Sequence, residues 1–283
     1  MWLILTASGL LVIGWPCWLA YRVLFPEHRQ IPSPESVPLH TPHAVPLRDS
    51  TVVNVWVLPA TDPRGRVLLC HGYYADRYQV LEIAEGLRQR GYESVLFELR
   101  GHGSRPGPCT LGVKEASDAL AILEWAAGRD RIRSIPVAVL GLSMGAAVVC
   151  QVAARSPSVK AVVTDSPYSR LFPVLKQALR QRSRLPSVPF AWLMWWAIQW
   201  RLGARLSRRD PVALAPRLHQ PLLAIQGGED RRVAPSLGEE FYQQWAGPKE
   251  RWFEATIAHV GMFPAHPQEY CARVAGFLDR VFA

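Results

Sequence analysis

The pentapeptide Gly-Leu-Ser-Met-Gly at 141–145 constrains the fold of this chain more than any other feature of its sequence. It follows an apolar run, 135–140, that is typical of a buried strand, and it precedes a run rich in alanine and valine, 146–154, that is typical of a helix. A serine between two glycines suits a turn at which strand and helix nearly touch, because the glycines add no side chains there. The pattern therefore predicts a sharp turn that exposes Ser143 as a nucleophile.

A nucleophilic serine needs a base and an acid that orients the base, and the sequence offers two candidates for each. The acid is expected on the loop after the buried-strand run 221–226, where Glu229 and Asp230 follow two glycines. The base is expected on the loop after the last strand, where His259 stands. His266 competes with His259, but it precedes a proline at a predicted helix start, so we interpret it as a surface or capping residue.

Two backbone N–H groups are expected to stabilise the oxyanion, because dipoles already fixed in place hold developing negative charge best. Met144, which directly follows the nucleophile, supplies the first. The second is expected after the apolar run 66–70, which ends in His71 and Gly72, and this predicts Tyr73 as the donor. We interpret His71 as a residue that stiffens this loop and not as a base.

At this point the chain resembles the α/β-hydrolase superfamily, in its branch of esterases, lipases and serine-aminopeptidase-like enzymes, which includes membrane-anchored bacterial hydrolases. The resemblance covers about residues 50 to 283. Glu98 departs from it, since many relatives carry Asp at this structural turn. The resemblance rests on six ordered matches: His71-Gly72, the segment 98–104 (Glu-Leu-Arg-Gly-His-Gly-Ser), the turn at Ser143, the segment 165–168 (Asp-Ser-Pro-Tyr), the Asp230 loop and His259.

The resemblance implies roles for these residues. Related enzymes carry a G-x-x-D-x-x-V pattern, which 227–233 matches, so Asp230 is predicted to be the acid in preference to Glu229. A triad of Ser143, His259 and Asp230 that works through an acyl-enzyme follows, with no metal or organic cofactor.

The pattern of strands and helices predicts an α/β fold, with a mostly parallel central sheet and helices on both faces. One domain is expected over 47–283, with a helical lid insertion at about 169–215. Early strands are predicted within 45–59. Later strands are predicted near residues 67, 94, 136, 160, 221 and 251, and helices near 77–90, 113–128, 145–155 and 267–282.

The net charge of +9 does not indicate a nucleic-acid partner, because the 28 arginines and 4 lysines are scattered and no basic stripe with stacking aromatics is present. The arginine bias is attributed to genome composition. The 5 cysteines show neither metal-ligand spacing nor the even number of a complete disulfide framework.

The N-terminus is predicted to be a separate membrane anchor. Residues 2–21 carry no charge, which at 1.5 Å per residue reaches roughly the 30 Å of a bilayer core. A cleaved signal peptide is the alternative, although no basic residue precedes the apolar run. The predicted anchor spans 1–25 and a proline-rich tether spans 26–46. Arg22 and Arg29 weakly favour a cytoplasmic catalytic domain by the positive-inside rule.

The lid insertion contains an apolar stretch, 188–200, that is predicted to be a helix without a polar face and too short to span a membrane. Either it packs over the site, where Trp192 and Trp196 would contact a hydrophobic acyl group, or it lies on a membrane surface. Arginines that suit anionic headgroups flank it at positions 180, 182, 184, 201, 205, 208 and 209.

These patterns together predict a membrane-anchored serine hydrolase that cleaves an ester, thioester or amide, with a small acyl ester or a lipid as substrate. The alternatives are acyl transfer to another alcohol through the same residues, and a catalytically silent binding protein on the same fold.

Overall fold

The computed structural model of the protein describes residues 14–27, 37–129, 135–183 and 186–283. Eight strands form one sheet in the order β1-β2-β4-β3-β5-β6-β7-β8. Strand β2 runs antiparallel to both of its neighbours, β1 and β4, and every other pairing is parallel. The strands are β1 (Thr41–Pro46), β2 (Val52–Leu58), β3 (Gly65–Cys70), β4 (Tyr92–Phe97), β5 (Val137–Leu142), β6 (Val159–Asp165), β7 (Leu222–Gly227) and β8 (Lys249–Glu254).

Helices cover both faces of this sheet. Side chains alternate along each strand, so Leu68 of β3 joins one apolar core while Val67 and Leu69 join the other. The predicted mostly parallel sheet between two helical layers is confirmed. The helices are α1 (described over 14–24), α2 (Leu81–Arg88), α3 (Glu115–Ala127), α4 (Met144–Ala153), α5 (Leu171–Ser183), α6 (Ser187–Leu202), α7 (Pro211–Leu214), α8 (Pro235–Gln244), α9 (Met262–Ala265) and α10 (Pro267–Phe282).

The predicted N-terminal anchor differs from what the structure shows. Residues 2–13 of the predicted span lie outside the described residues. Helix α1, which holds the rest of it, packs on the domain through Ala20 and Leu24, both buried in the apolar core. The Cys109 N–H donates to the Leu24 carbonyl at 2.7 Å, and the Tyr73 hydroxyl donates to the Val23 carbonyl at 2.7 Å. The described part of α1 is therefore a component of the domain.

No helix within the described ranges has both the length and the apolar character that crossing a membrane requires. The expected membrane helix is therefore not supported. An uncharged stretch suits a protein core as well as lipid, and hydropathy alone does not separate the two environments.

The predicted tether also differs, because its last six residues form strand β1. Pro42 and Pro46 weigh against a strand in the sequence, yet β1 lies at the edge of the sheet, where a residue without an N–H is tolerated. Residues 28–36 of the tether lie outside the described residues.

A pair of leucines tests whether α1 belongs to the core. Leu24 is only 2% exposed and Leu39 is 77% exposed. We expect Leu24→Ala to lower the free energy of unfolding by about 2–5 kcal/mol, because it removes buried methyl groups and leaves a cavity. The matched control, Leu39→Ala, is expected to change it by about 0.5 kcal/mol or less. Urea denaturation measures both, and equal effects would show that α1 does not contribute to the core.

Candidate active site

Ser143 occupies a tight turn between β5 and α4. Its φ of 53° and ψ of −112° lie outside the helical and strand regions. A Cβ on Gly141 would lie 2.2 Å from the Gly145 carbonyl oxygen, and a Cβ on Gly145 would lie 2.2 Å from the Cys70 carbonyl oxygen. Any side chain at either position would collide with backbone, so both residues must be glycine. The turn is thus fixed by backbone packing between α4, β5 and β3.

Three side chains that the sequence singled out meet at this turn. The Ser143 Oγ lies 2.9 Å from Nε2 of His259, and Nδ1 of His259 lies 2.6 Å from Oδ2 of Asp230. Because a carboxylate only accepts hydrogen bonds, Nδ1 of the imidazole carries the proton and Nε2 is free to accept the serine proton. The Ser143 hydroxyl is therefore aligned for removal of its proton.

Asp230 is held by its own loop. Its Oδ1 accepts the N–H groups of Arg232 and Val233 at 2.9 and 2.8 Å, which leaves Oδ2 directed at the imidazole. The side chain of Asp230 is fully buried. A carboxylate anchored in this way fixes both the orientation and the tautomer of His259.

The two competing residues are placed differently. Nε2 of His266 lies 2.9 Å from Oε2 of Glu254, so this histidine is paired away from the nucleophile. Glu229 lines the cleft beside Ser143, and its backbone N–H donates to the Ile257 carbonyl. The contact to His259 comes from Asp230.

The residues predicted to supply the two oxyanion donors lie directly after the nucleophile and in its cleft. Helix α4 begins at Met144, whose N–H lies at the helix N-terminus, where backbone donors have no partner within the helix. Tyr73 lines the same cleft as Ser143. The N–H of the preceding Gly72 donates to Oε1 of Gln79 at 2.7 Å, which anchors the loop that carries Tyr73.

His71 holds this loop in place through two hydrogen bonds to backbone. Its Nε2 accepts the Leu99 N–H at 3.0 Å, so its proton lies on Nδ1, which donates to the Gly72 carbonyl at 2.8 Å. Burial, together with His102 nearby, lowers the pKa of His71 to about 3. The imidazole is neutral at physiological pH, and both of its nitrogens are used to hold backbone.

The segment that carries Glu98 is a structural turn. The Glu98 carboxylate forms an ion pair with Arg77 at 3.0 Å and accepts both the N–H and the hydroxyl of Ser104. Glutamate in place of the family's usual aspartate therefore still closes this turn.

Asp165 and Ser166 support the histidine loop, a role that sequence reasoning missed. The Ser166 Oγ donates to Oδ1 of Asp165 and accepts the N–H of Val260, which follows the histidine, each at 2.9 Å. The Asp165 carbonyl accepts the N–H of Ser143 at 2.8 Å. Burial raises the pKa of the Asp165 carboxyl to about 6. The end of β6 thus ties the serine turn to the histidine loop, and only the match at 165–168 pointed to this segment.

The cleft around Ser143 has a volume of about 590 Å³. Ile83, Phe263 and Pro264 supply apolar wall, while Glu229, Arg231 and Arg232 supply charge. This size is sufficient for a small organic molecule.

Trp192 and Trp196 do not line this cleft, contrary to the expectation for the lid insertion. Helix α6 buries Ala191, Met194, Trp195 and Ile198 against the core. Trp192 packs on Phe172 at 4.4 Å between ring centroids, and Trp196 and Trp200 are 65% and 83% exposed. The composition of 188–200 is apolar throughout, but only one face of the helix meets the domain.

The fold, the serine turn and the comparisons with known proteins all indicate the same family. The family model described as alpha/beta hydrolase fold matches residues 65–189. An uncharacterized protein of Mycobacterium tuberculosis is 30% identical over 259 residues, which cover 90% of this chain and 85% of the relative. The chain belongs to the α/β-hydrolase superfamily.

Two further relatives indicate what this α/β hydrolase is similar to. A monoacylglycerol lipase of Mycolicibacterium smegmatis is 31% identical to it over 183 residues. This alignment covers 61% of this chain and 60% of the lipase. The esterase Pf2001 of Pyrococcus furiosus superposes with a TM-score of 0.74 at 22% identity, over 91% of this chain and all of the esterase. The second likeness shows the fold alone.

Proposed function

We propose that this α/β hydrolase cleaves carboxylic esters through a covalent acyl-enzyme, with Ser143 as nucleophile. The observation that carries the proposal is the unbroken contact from Ser143 through His259 to Asp230, at 2.9 and 2.6 Å. Such an arrangement recurs in serine hydrolases, where it activates a hydroxyl that is otherwise a weak nucleophile.

In the first half of the reaction, the Ser143 Oγ attacks the ester carbonyl carbon while its proton passes to Nε2 of His259. The negative oxygen of the tetrahedral intermediate accepts hydrogen bonds from the N–H groups of Tyr73 and Met144. The intermediate collapses, the C–O bond to the alcohol breaks, and the departing alcohol takes the proton from His259. An acyl group remains on Ser143.

In the second half, water replaces the alcohol. It gives a proton to His259 as it attacks the acyl carbon, and the acid leaves as Ser143 recovers that proton. The Asp230 carboxylate stabilises the imidazolium that forms in each half. No group outside the chain takes part other than the ester and water.

The substrate we favour is an ester with a hydrophobic acyl group. The Mycolicibacterium smegmatis relative is named a monoacylglycerol lipase, and the cleft offers apolar wall from Ile83 and Phe263. Reaction with a fluorophosphonate, followed by turnover of p-nitrophenyl esters from acetate to octanoate, tests the proposal. Absence of both would refute it, and an ester product formed with added glycerol would indicate acyl transfer instead of hydrolysis.

We propose in addition that the exposed face of α6 contacts an anionic lipid surface. Trp196 and Trp200 project large aromatic surface into solvent, and exposed arginines at 201, 205 and 208 follow them. Aromatic rings and arginines side by side suit the boundary between acyl chains and anionic headgroups. This surface would bring the enzyme to lipid.

Replacing Trp196 and Trp200 together with serine tests the lipid surface. Burial of such a ring in lipid is worth about 1.5–3 kcal/mol, so we expect affinity for phosphatidylglycerol vesicles to fall by about tenfold or more. Turnover of p-nitrophenyl acetate is expected to stay unchanged, because neither ring lines the cleft. Phe253→Ser is the control, since Phe253 is an exposed aromatic on β8. Undiminished binding in a vesicle sedimentation assay would contradict the proposal.

A further inference from the structure

A second crevice, of about 620 Å³, lies between helix α1 and helices α5 and α6. The two charged residues that border it, Arg22 and Glu27, form an ion pair with each other. Its remaining lining offers mostly hydrocarbon, which favours an apolar ligand over a charged one. The apolar wall includes Leu19 and Val23 from α1, Leu175, Ala178 and Leu179 from α5, and Met194 from α6.

This crevice adjoins the loop that carries Tyr73. Tyr73 lines the catalytic cleft together with Ser143, whereas the next residue, Tyr74, lines the crevice, and the two tyrosine rings are 4.2 Å apart. The hydroxyl of Tyr73 also donates to the Val23 carbonyl in the crevice wall. The loop that is expected to hold the oxyanion therefore forms the boundary between the two cavities.

The two cavities differ in how their charged groups are placed. The catalytic cleft carries Glu229, Arg231 and Arg232, which suit the polar alcohol of an ester. In the crevice the charged groups, Arg22 and Glu27, are paired with each other, and three helices supply the apolar wall. An ester whose carbonyl lies at Ser143 has two substituents to place, and the two cavities match a polar and an apolar one.

We infer that the crevice between α1, α5 and α6 binds the acyl chain of the substrate. The inference rests on the proposed function for the identity of the reacting group. The ligand class is a medium or long acyl chain, which passes the Tyr73–Tyr74 boundary and lies against α5. Helix α1 is then a wall of the substrate site, and Trp192 and Trp196 have no part in chain binding.

Filling the crevice from opposite walls tests this assignment. Ala178→Trp adds bulk from α5, and Leu19→Trp adds it from α1. Because each buried methylene is worth about fourfold in affinity, wild-type kcat/KM is expected to rise from p-nitrophenyl acetate to p-nitrophenyl octanoate. Each variant is expected to lose about tenfold or more on octanoate and about twofold or less on acetate, because acetate does not reach the crevice. Ala272→Trp, at an exposed position on α10, is the matched control and is expected to change neither rate.

A binding measurement keeps the inference separate from catalysis. The fluorescent polyene cis-parinaric acid is expected to bind the Ser143→Ala variant and to bind the Ser143→Ala, Ala178→Trp double variant about tenfold or more weakly. The acyl-chain site would be overturned by equal losses on acetate and octanoate, or by an undiminished octanoate rate in both filled variants. It would also be overturned if Ala178→Trp left the affinity for parinaric acid unchanged. Failure of fluorophosphonate labelling in the wild-type protein, with parinaric acid binding intact, would instead refute the proposed function alone.

Discussion

The Ser143→Ala variant is expected to lose fluorophosphonate labelling completely and to lose roughly four or more orders of magnitude in kcat on p-nitrophenyl acetate. The reason is chemical, because no other hydroxyl is placed to form the acyl-enzyme at this turn. Removing one oxygen from a partly exposed side chain leaves the packing of Gly141 and Gly145 unchanged. Intact-mass spectrometry measures the labelling, and a thermal melt verifies the fold.

Ser207→Ala is the matched control for this result. Ser207 is exposed on the short 3₁₀ helix Leu206–Arg209, and it lines neither cavity. Its substitution is expected to leave both labelling and turnover unchanged. A label that persists in the Ser143→Ala protein would show that the nucleophile lies elsewhere.

The second large effect is expected at His259, which contacts the nucleophile, and at Asp230, which contacts His259. His259→Ala removes the base, and Asp230→Asn replaces the acceptor at Nδ1 with a group that also donates, which permits the wrong imidazole tautomer. Each substitution is expected to lower kcat by roughly ten-thousandfold. Steady-state kinetics on p-nitrophenyl acetate measures both.

The competing residues supply the controls. His266→Ala breaks a pairing with Glu254 that lies away from the nucleophile, and Glu229→Gln keeps a side chain of the same shape in the cleft. Both are expected to retain activity within about tenfold of the wild type. A larger loss in His266→Ala than in His259→Ala, or in Glu229→Gln than in Asp230→Asn, would assign that role to the other residue.

The strand ends were the part of this protein that sequence could predict well. An apolar run that stops at glycine or at a polar residue marks the end of a buried strand, and parallel strands end at one edge of the sheet. Ser143 and Asp230 each follow such a run, and His259 follows the short last strand, so local patterns sufficed to select residues that the structure places in contact.

The sequence could not predict which apolar surfaces pack on the core of the domain and which stay exposed. An uncharged segment such as α1 has the same composition whether it faces lipid or the core, and the contact that decides it joins Leu24 to Cys109. Helix α6 is apolar on every side, so nothing in its sequence separates Trp195, which is buried, from Trp196, which is exposed. The hydrogen bond from the Val260 N–H to the Ser166 hydroxyl could not be predicted either, because it joins residues 94 positions apart.

The two edges of the sheet bear on how the protein behaves at high concentration. An unpaired edge is a template for strand addition by a second copy, and proline and charge are the usual means of blocking it. At the β1 edge, Pro42 and Pro46 offer no N–H to an incoming strand. At the β8 edge, Lys249, Glu250 and Arg251 are successive charged residues. We therefore expect this sheet to resist amyloid-like growth from both ends, even when crowding brings many copies together.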